Sequence, residues 1–549
     1  MSVYSSPLEM LYKWEQETPD KVFLRQPIND KWHEWTWKQT GQEVRKMAAA
    51  LKGMNLPAGS NIALISKNCA HWIISDLAIM MSGHISVPMY PNLNAETVKL
   101  ILEHSEAKVC FVGKLDDWKS MRPGVPAGVR CISFPFYTEP GYETWDEIIK
   151  GVKPVEEDVV RLPSELATII YTSGTTGMPK GVMHSFHNFS FTAENAVKLI
   201  NIDNTSKFFS YLPLCHIAER FLVELGGIYS GGSIAFGESL EKFPKNLSEV
   251  QPTVFLGVPR IWSKFQQGVL GKMPQKKLNI FLNIPILSSI VKKKIKTGLG
   301  LSQASNIFVG AAPMPASLIR WFERLDVKIQ EAYAMTENCC YSHVTLSHEI
   351  KIGCVGKALP HVQVKLSEQN EVLIKHEALM LGYYKEPQMT KDSFTEDGYL
   401  RTGDEGKIDN EGYLQITGRV KDIFKTTKGK YVAPAPIEMK ISVNEDVDQV
   451  CVVGDGIAQP IAMITLSEAG KKKAKEEIER SLAETMNIVN PKLDQHEMLK
   501  RMVVLKGDWT VENKLLTPTL KIKRNEVEKI HRSKYEMWYS STTEVVWEN

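Results

Sequence analysis

The feature that most restricts this fold is a repeated switch between helical and strand periodicity. Residues 36–51 follow an amphipathic helical pattern that ends before Gly53, and Thr36 with Gln39 three residues on fits a capping box at its start. Residues 61–66 (NIALIS) read as a strand and 70–81 as a helix apolar enough to be buried, stopping at Gly83. Residues 84–90 read as a strand broken at Pro91, 96–105 as a helix and 108–113 as a strand. Such alternation predicts βαβ units around a mainly parallel sheet, and strand-like runs at 208–213, 233–236, 253–258 and 306–310 continue it. From residue 362 the pattern changes to short strands and turns (VQVKL, EVLIK, GYLRTGD, GYLQITGR), with a hairpin signal at Asp409-Asn410-Glu411-Gly412. Beyond 420 come strands at 449–453 and 461–466, a charged helix at 469–484 and a basic segment near Lys521. At 549 residues the chain exceeds what one core usually supports, so more than one domain is expected.

Between the two alternating regions lies YTSGTTGMPKGVMHS, residues 171–185. A β-branched and aromatic run at 167–171 precedes it. Phe186, Phe189, Ala193, Ala196, Val197 and Ile200 follow at helical spacing, so a strand, a loop and a helix are expected in turn. The loop holds three glycines and four Ser/Thr hydroxyls in residues 171–181. Glycines let backbone N–H groups approach a ligand, hydroxyls add donors, and Lys180 adds a point charge, a combination suited to phosphate oxygens. The spacing is not that of a Walker A loop. A flexible linker is the bland alternative, but a linker has no reason to abut a buried strand.

Formal net charge is only +2, which gives no general argument for nucleic acid. Eight scattered cysteines without a C-x-x-C pair read as reduced thiols in a cytoplasmic protein. Glu9 and Glu15 stand where a secretory leader would be apolar, and apolar runs are too short for a membrane-spanning helix.

Further motifs follow the loop in order: GAAP (310–313), EAYAMTE (331–337), YLRTGD (399–404), GRVKD (418–422), KGKYVAPAPIE (428–438) and TPTLKIKR (517–524). Together they resemble the adenylate-forming superfamily. CHIAER (215–220), GVPRIW (257–262) and the form of the last motif look most like long-chain fatty acyl-CoA synthetases. The resemblance implies activation of a medium- to long-chain fatty acid by ATP, with Mg²⁺, to an acyl-adenylate, and then transfer to CoA. It also implies a division into an N-terminal domain, 1–418, with a β-rich subdomain at about 362–418, a hinge at 419–422 and a small mobile α+β C-terminal domain, 423–549. Thr172, Ser173, Gly174, Thr175, Thr176 and Gly177 with Lys180 would cradle the β- and γ-phosphates. Thr336 would contact the α-phosphate and Glu337 would help hold Mg²⁺. Asp404 and Arg419 would clamp the ribose; taken alone they are a turn aspartate and a surface arginine. Gly310, Ala311, Glu331, Ala332 and Tyr333 would wall the adenine, with Tyr333 stacking on it.

Lys521 would bridge the attacking carboxylate and the α-phosphate, and His216 would border them. Lys421 would be the hinge residue. Gly429 and Lys430 would approach the pantetheine arm of CoA, and Trp262 would gate an acyl tunnel. Two departures stand out: Ala332 and Ala334 replace glycines, which is tolerable only if neither backbone needs a positive φ, and Leu520 precedes the lysine where glycine is usual. Residues 271–300 contain seven lysines and no acid around an apolar stretch. That pattern fits either peripheral contact with a membrane or a solvated loop over a buried helix, and Pro285 argues against one continuous helix. The same adenylation chemistry with a carrier-protein acceptor or an aryl acid, and a non-catalytic acyl or nucleotide sensor, are the other readings. Monomer and homodimer are both open.

Overall fold

The computed structural model describes residues 4–173, 179–511, 513–517 and 521–548. Among them, two large sheets have parallel centres. In one, Asn61–Ile65 lies between Ile85–Met89 and Val109–Val112, parallel to both, and the sheet extends through Leu166–Ser173 to Pro179–Ser185. In the other, Ser233–Phe236, Lys207–Ser210, Val254–Gly257, Asn306–Val309 and Gln330–Tyr333 lie side by side and parallel. The helix Ala70–Met81 is buried at every position, as a helix apolar on all sides must be. Its core cluster takes in Ile62 and Leu64 from the first sheet and Phe208, Ile234 and Val254 from the second, so the helix belongs to the layer between them. Its one carboxylate, Asp76, accepts a 2.5 Å hydrogen bond from fully buried Arg220, whose other arm donates to Thr168 Oγ1 at 2.7 Å. The last residue of CHIAER thus joins the central helix to the strand that leads into the glycine-rich loop.

The short strands after 362 form an antiparallel sheet of Gln363–Leu366, Glu371–Lys375, Leu400–Ile408 and Leu414–Arg419. Val447–Val453, Ile461–Leu466, Arg501–Val504 and Val545–Trp547 make a separate sheet with its own core. Among the described residues no sheet combines strands from both sides of 420–423. There the chain makes a turn: Asp422 N–H donates to Arg419 O and Val420 N–H to Gly403 O, both at 3.0 Å.

Three expected elements differ. The Thr36-capped helix keeps its capping box with Gln39 but runs Trp37–Gly53, because Gly53 holds helical backbone and Met54 is the cap. The charged helix is Lys475–Val489, not 469–484. Residues Gly470–Lys472 form a single 3₁₀ turn held against Asp446, with Gly470 so close to Asp446 O that a Cβ would lie 2.6 Å away. The third difference lies at the site. All eight cysteines are free, and among the described residues no helix is long and apolar enough to cross a membrane.

Candidate active site

The stretch after the glycine-rich loop is a strand before it is a helix. Pro179–Ser185 pairs antiparallel with Leu166–Ser173, setting Thr172 opposite Lys180 and Ser173 opposite Pro179. Pro179–Ser185 is therefore a strand of the sheet, not the entry to a helix, and the helix begins only at Phe186 behind a Ser185 cap. Gly174, Thr175, Thr176 and Gly177 lie outside the described residues. Lys180 Nζ sits 5.3 Å over the ring of Tyr383, whose hydroxyl donates to Glu337 Oε1 at 2.8 Å. One tyrosine thus joins the lysine and the carboxylate expected at the phosphates.

Gly310 and Ala311 leave the sheet beside Ala332 and Tyr333, because Val309 and Glu331 are register partners on adjacent parallel strands. This is the carboxyl end of the sheet, where open α/β folds bind ligands. A Cβ on Gly310 would meet Ala332 O at 3.6 Å, so the two segments are in close apposition. Ala311 has φ +66°, while Ala332 and Ala334 are not among the positive-φ residues. The methyls that replace the two glycines therefore bring no backbone strain. The Glu331 carboxyl is buried and accepts from Gly353 N–H at 3.1 Å; burial pushes its pKa up to about 7. Tyr333 donates its hydroxyl to Asp404 Oδ2 at 2.8 Å, and Arg419 Nε donates to Asp404 Oδ1 at 2.9 Å. Asp404 and Arg419 are direct cross-strand partners, and their attraction raises the arginine's pKa.

From the other side of the 420–423 turn Lys521 comes within reach of the charges of Arg419, Asp404 and Glu337, and the space these residues share is the candidate cleft. Lys521 is solvent-exposed yet closely surrounded by protein. Crowding by protein and then the charge of Arg419 lower its pKa, while Asp404 and Glu337 oppose the shift. Its loop is closed on itself: Thr517 N–H donates to Lys521 O at 2.8 Å, and Lys521 N–H to Thr517 Oγ1 at 3.0 Å. His216 caps a short helix, its Nδ1 accepting Ala218 N–H at 3.2 Å, so the ring proton is on Nε2. Burial, with the charge of Lys521 adding, lowers its pKa to about 4. Lys521, Glu337, Asp404, Arg419 and His216 are thus one electrostatic group, although up to 305 positions separate them in the sequence.

A family model described as AMP-binding enzyme matches residues 11–384, and the model for the AMP-binding enzyme C-terminal domain matches 421–543. The chain belongs to the AMP-binding enzyme family. It is 26% identical to the long-chain-fatty-acid–CoA ligase ACSBG2 of Xenopus laevis, over 98% of this chain and 84% of the relative. It is 27% identical to the long-chain-fatty-acid–CoA ligase FadD15 of Mycobacterium bovis, over 97% and 96%. The crystal structure of the anthranilate CoA ligase AuaEII in complex with anthranoyl-AMP superposes with a TM-score of 0.80, at 20% identity, over 98% of this chain and 99% of that one. That likeness shows the shared fold.

This AMP-binding enzyme also contains supports that sequence reasoning passed over. His184 Nε2–H donates to the carbonyl of Thr336 at 2.8 Å, while its Nδ1 accepts from Asn188 Nδ2 at 2.9 Å. Burial holds His184 neutral, with a pKa near 4, and so fixes this donor to the turn that carries Glu337. The signal was present: His184 lies in the quoted loop motif, and Asn188 is four residues on. Tyr383, in LGYYK, had none. Of the remaining expected residues, Lys421, Gly429 and Lys430 are exposed, and Gly429 turns a small hairpin with φ +76°. Trp262 is fully buried, edge-on to Phe255, Phe265 and Phe322, and donates to Gly257 O at 3.0 Å. Any gating by this ring requires that cluster to open.

Proposed function

We propose that the chain activates a medium- to long-chain fatty acid with ATP, forming an acyl-adenylate and pyrophosphate, and then transfers the acyl group to CoA with release of AMP. The observation that carries this reading is Lys521 in one cleft with Glu337, His216 and the Asp404–Arg419 pair. In the first half-reaction a carboxylate oxygen attacks the α-phosphorus and pyrophosphate leaves. Such a step depends on positioning and on spreading charge. Lys521 donates to the carboxylate and the α-phosphate and offsets their repulsion. Asp404 accepts from the ribose hydroxyls, oriented by Arg419 and Tyr333. Lys180, with Thr172, Ser173 and the glycines of the loop, binds the departing pyrophosphate, and Thr336 holds the α-phosphate. Adenine lies between 310–311 and 331–333.

Mg²⁺ supplies charge neutralisation at the phosphates. Glu337 is the residue that would hold it: Oε1 is engaged by Tyr383, and Oε2 has no partner among the described residues. No group of three or more potential metal-binding side chains occurs there, so the donor set suits an ion that arrives with its phosphate ligands. For thioester formation the domain after 423 turns about Lys421, withdrawing Lys521 and presenting Gly429 and Lys430 to CoA. The names of the curated relatives support a fatty acid as the acyl substrate. The test is AMP release, with CoA present, across acids from acetate to long-chain and including an aryl acid. Release that peaks with medium or long chains is expected. Release with the aryl acid alone overturns the substrate, CoA-independent release overturns the acceptor, and no acid-dependent release overturns the reading.

A further inference from the structure

Within residues 271–300, after the end of the helix Pro259–Lys272, two helices, Gln275–Leu282 and Pro285–Gly298, pack against each other, with Pro285 at the first turn of the second. Their inner faces are anchored: Leu278 is buried, and Leu282, Val291 and Ile295 pack on the cluster that holds Trp262 and Phe265. Their outer faces are apolar where the two helices meet and basic further back. Ile280, Ile284, Ile286 and Ile290 are 60, 43, 78 and 58% exposed, a density of open isoleucine that a water-facing hairpin does not need. On the second helix Ile286, Ile290 and Lys293 follow at intervals of four and three and share one stripe. The lysine therefore stands about 10 Å along the axis from Ile286. On the first helix Lys276 and Lys277 occupy the end away from the tip, and Lys277 lies over Phe281. Of the seven lysines only Lys292 forms an ion pair among the described residues, with Asp326 at 2.9 Å.

We propose that this helical hairpin docks the protein on an anionic lipid surface, with the isoleucine tip in the acyl–headgroup boundary and the lysines at the phosphates. The polarity along both helices is what argues for lipid: an interfacial helix sinks about 5–10 Å, matching the distance from Ile286 to the lysine level. Charge complementarity is local, because a chain of formal charge only +2 concentrates seven cations and no anion in thirty residues. Docking brings the bilayer to the wall of the Trp262 cluster. That this delivers fatty acid rests on the substrate reading above; the docking itself does not.

Flotation with phosphatidylcholine vesicles, pure or containing about 30% phosphatidylserine, tests it. Wild type is expected to float with the anionic vesicles, to stay behind with the neutral ones, and to be released at about 1 M salt, where screening is nearly complete. Each lysine near such a surface is worth about a five-fold change in affinity, so K293E/K294E should weaken binding at least ~25-fold. I286E/I290E should abolish it. Both variants should retain melting temperature and AMP release with a water-soluble acid, since none of these side chains is part of the cleft or core. Absence of wild-type flotation with anionic vesicles overturns the proposal, as does equal binding to both vesicle types by wild type and K293E/K294E. A dimer that I286E/I290E dissociates, with no vesicle binding by wild type, means that a second copy covers the tip and overturns it too.

Discussion

Replacing Lys521 by alanine should separate the two half-reactions. In the cleft the ammonium is balanced by Asp404 and Glu337 on one side and Arg419 on the other. Substrate adds a carboxylate and a phosphate that must approach each other, and only Lys521 is supplied by the far side of the turn. A unit charge about 4 Å from each developing anion is worth about 4 kcal/mol at an effective dielectric of about 20. That corresponds to about three decades in rate. Lys180 and Arg419 remain in the variant, so ATP affinity should change far less than the rate constant. Acid-dependent ATP–pyrophosphate exchange and single-turnover acyl-adenylate formation measure the first step. Chemically supplied acyl-adenylate with CoA measures the second. The variant should lose about 1000-fold in the first and stay within a few-fold of wild type in the second. Equal losses in both, or intact pyrophosphate exchange, would refute the assignment and reduce Lys521 to a structural lysine.

Lys421→Pro, which fixes φ in the turn at 419–422, should slow thioester formation more than adenylation; equal effects in the two assays sink the hinge. Two exposed ion pairs cross that turn, Lys514–Glu96 at 3.1 Å and Arg260–Asp448 at 3.2 Å. Each is worth at most about 1 kcal/mol, so E96Q/D448N should slow pyrophosphate exchange and speed the thioester step by a few-fold, up to ~30-fold, and 0.5 M salt should mimic it. If neither step moves, the pairs do not hold the lysine-in arrangement. The Glu331 pKa, raised by burial to about 7, stabilises the fold in its protonated form. That contribution is complete below about 4.5 and is lost as pH rises to about 7, amounting to roughly 3 kcal/mol. Melting temperatures between pH 5 and 8 should fall for wild type relative to Glu331→Gln and level off above 7; parallel curves would refute the buried carboxyl.

What could be read from the sequence was what is local. The helix at 70–81 announced its burial through apolarity broken by His71, Ser75 and Asp76 alone, and Thr36 announced its cap through the residue three positions on. Asp404 and Arg419 lay on segments that alternation marked as adjacent strands. The strand at 179–185 was hidden because Pro, Lys, Gly and His are poor strand formers. What makes PKGVMHS a strand is pairing with Leu166–Ser173 on one side and Gly382–Tyr383 on the other, and the second partner is 200 residues away. The 3₁₀ turn at Gly470–Lys472 was hidden for the same reason, since its break depends on Asp446. The link from Lys180 through Tyr383 to Glu337 joins three segments with no shared pattern.

The charge balance of the cleft explains why the histidine and the lysine belong to different parts of the fold. His216 has its proton on Nε2 and a pKa near 4, so at neutral pH it offers a hydrogen bond and no charge. A protonated imidazole there would repel Lys521 and would stay in the cleft through both half-reactions. Arg419 is likewise fixed, but Asp404 neutralises it at 2.9 Å. Among the described residues of the cleft, the cation that is neither closely paired nor anchored to the sheets is therefore Lys521. In the proposed cycle it is present while an anion attacks a phosphate and withdrawn when a thiol attacks the acyl carbon and AMP leaves. The second step needs no bridge between two anions. Arg524, three residues on, is placed to transmit the proposed movement: it binds Glu438 and Val452 O within the C-terminal unit and lies 3.7 Å from Asp422 in the turn. In that cycle a rotation at 419–422 carries Arg524, and Lys521 three residues before it, together with the C-terminal unit. Arg524→Met should consequently uncouple the two, lowering adenylation while leaving the Asp404–Arg419 pair, proposed to hold the ribose, and hence AMP affinity, unchanged. A variant that lost AMP binding in proportion would show that Arg524 merely supports the fold.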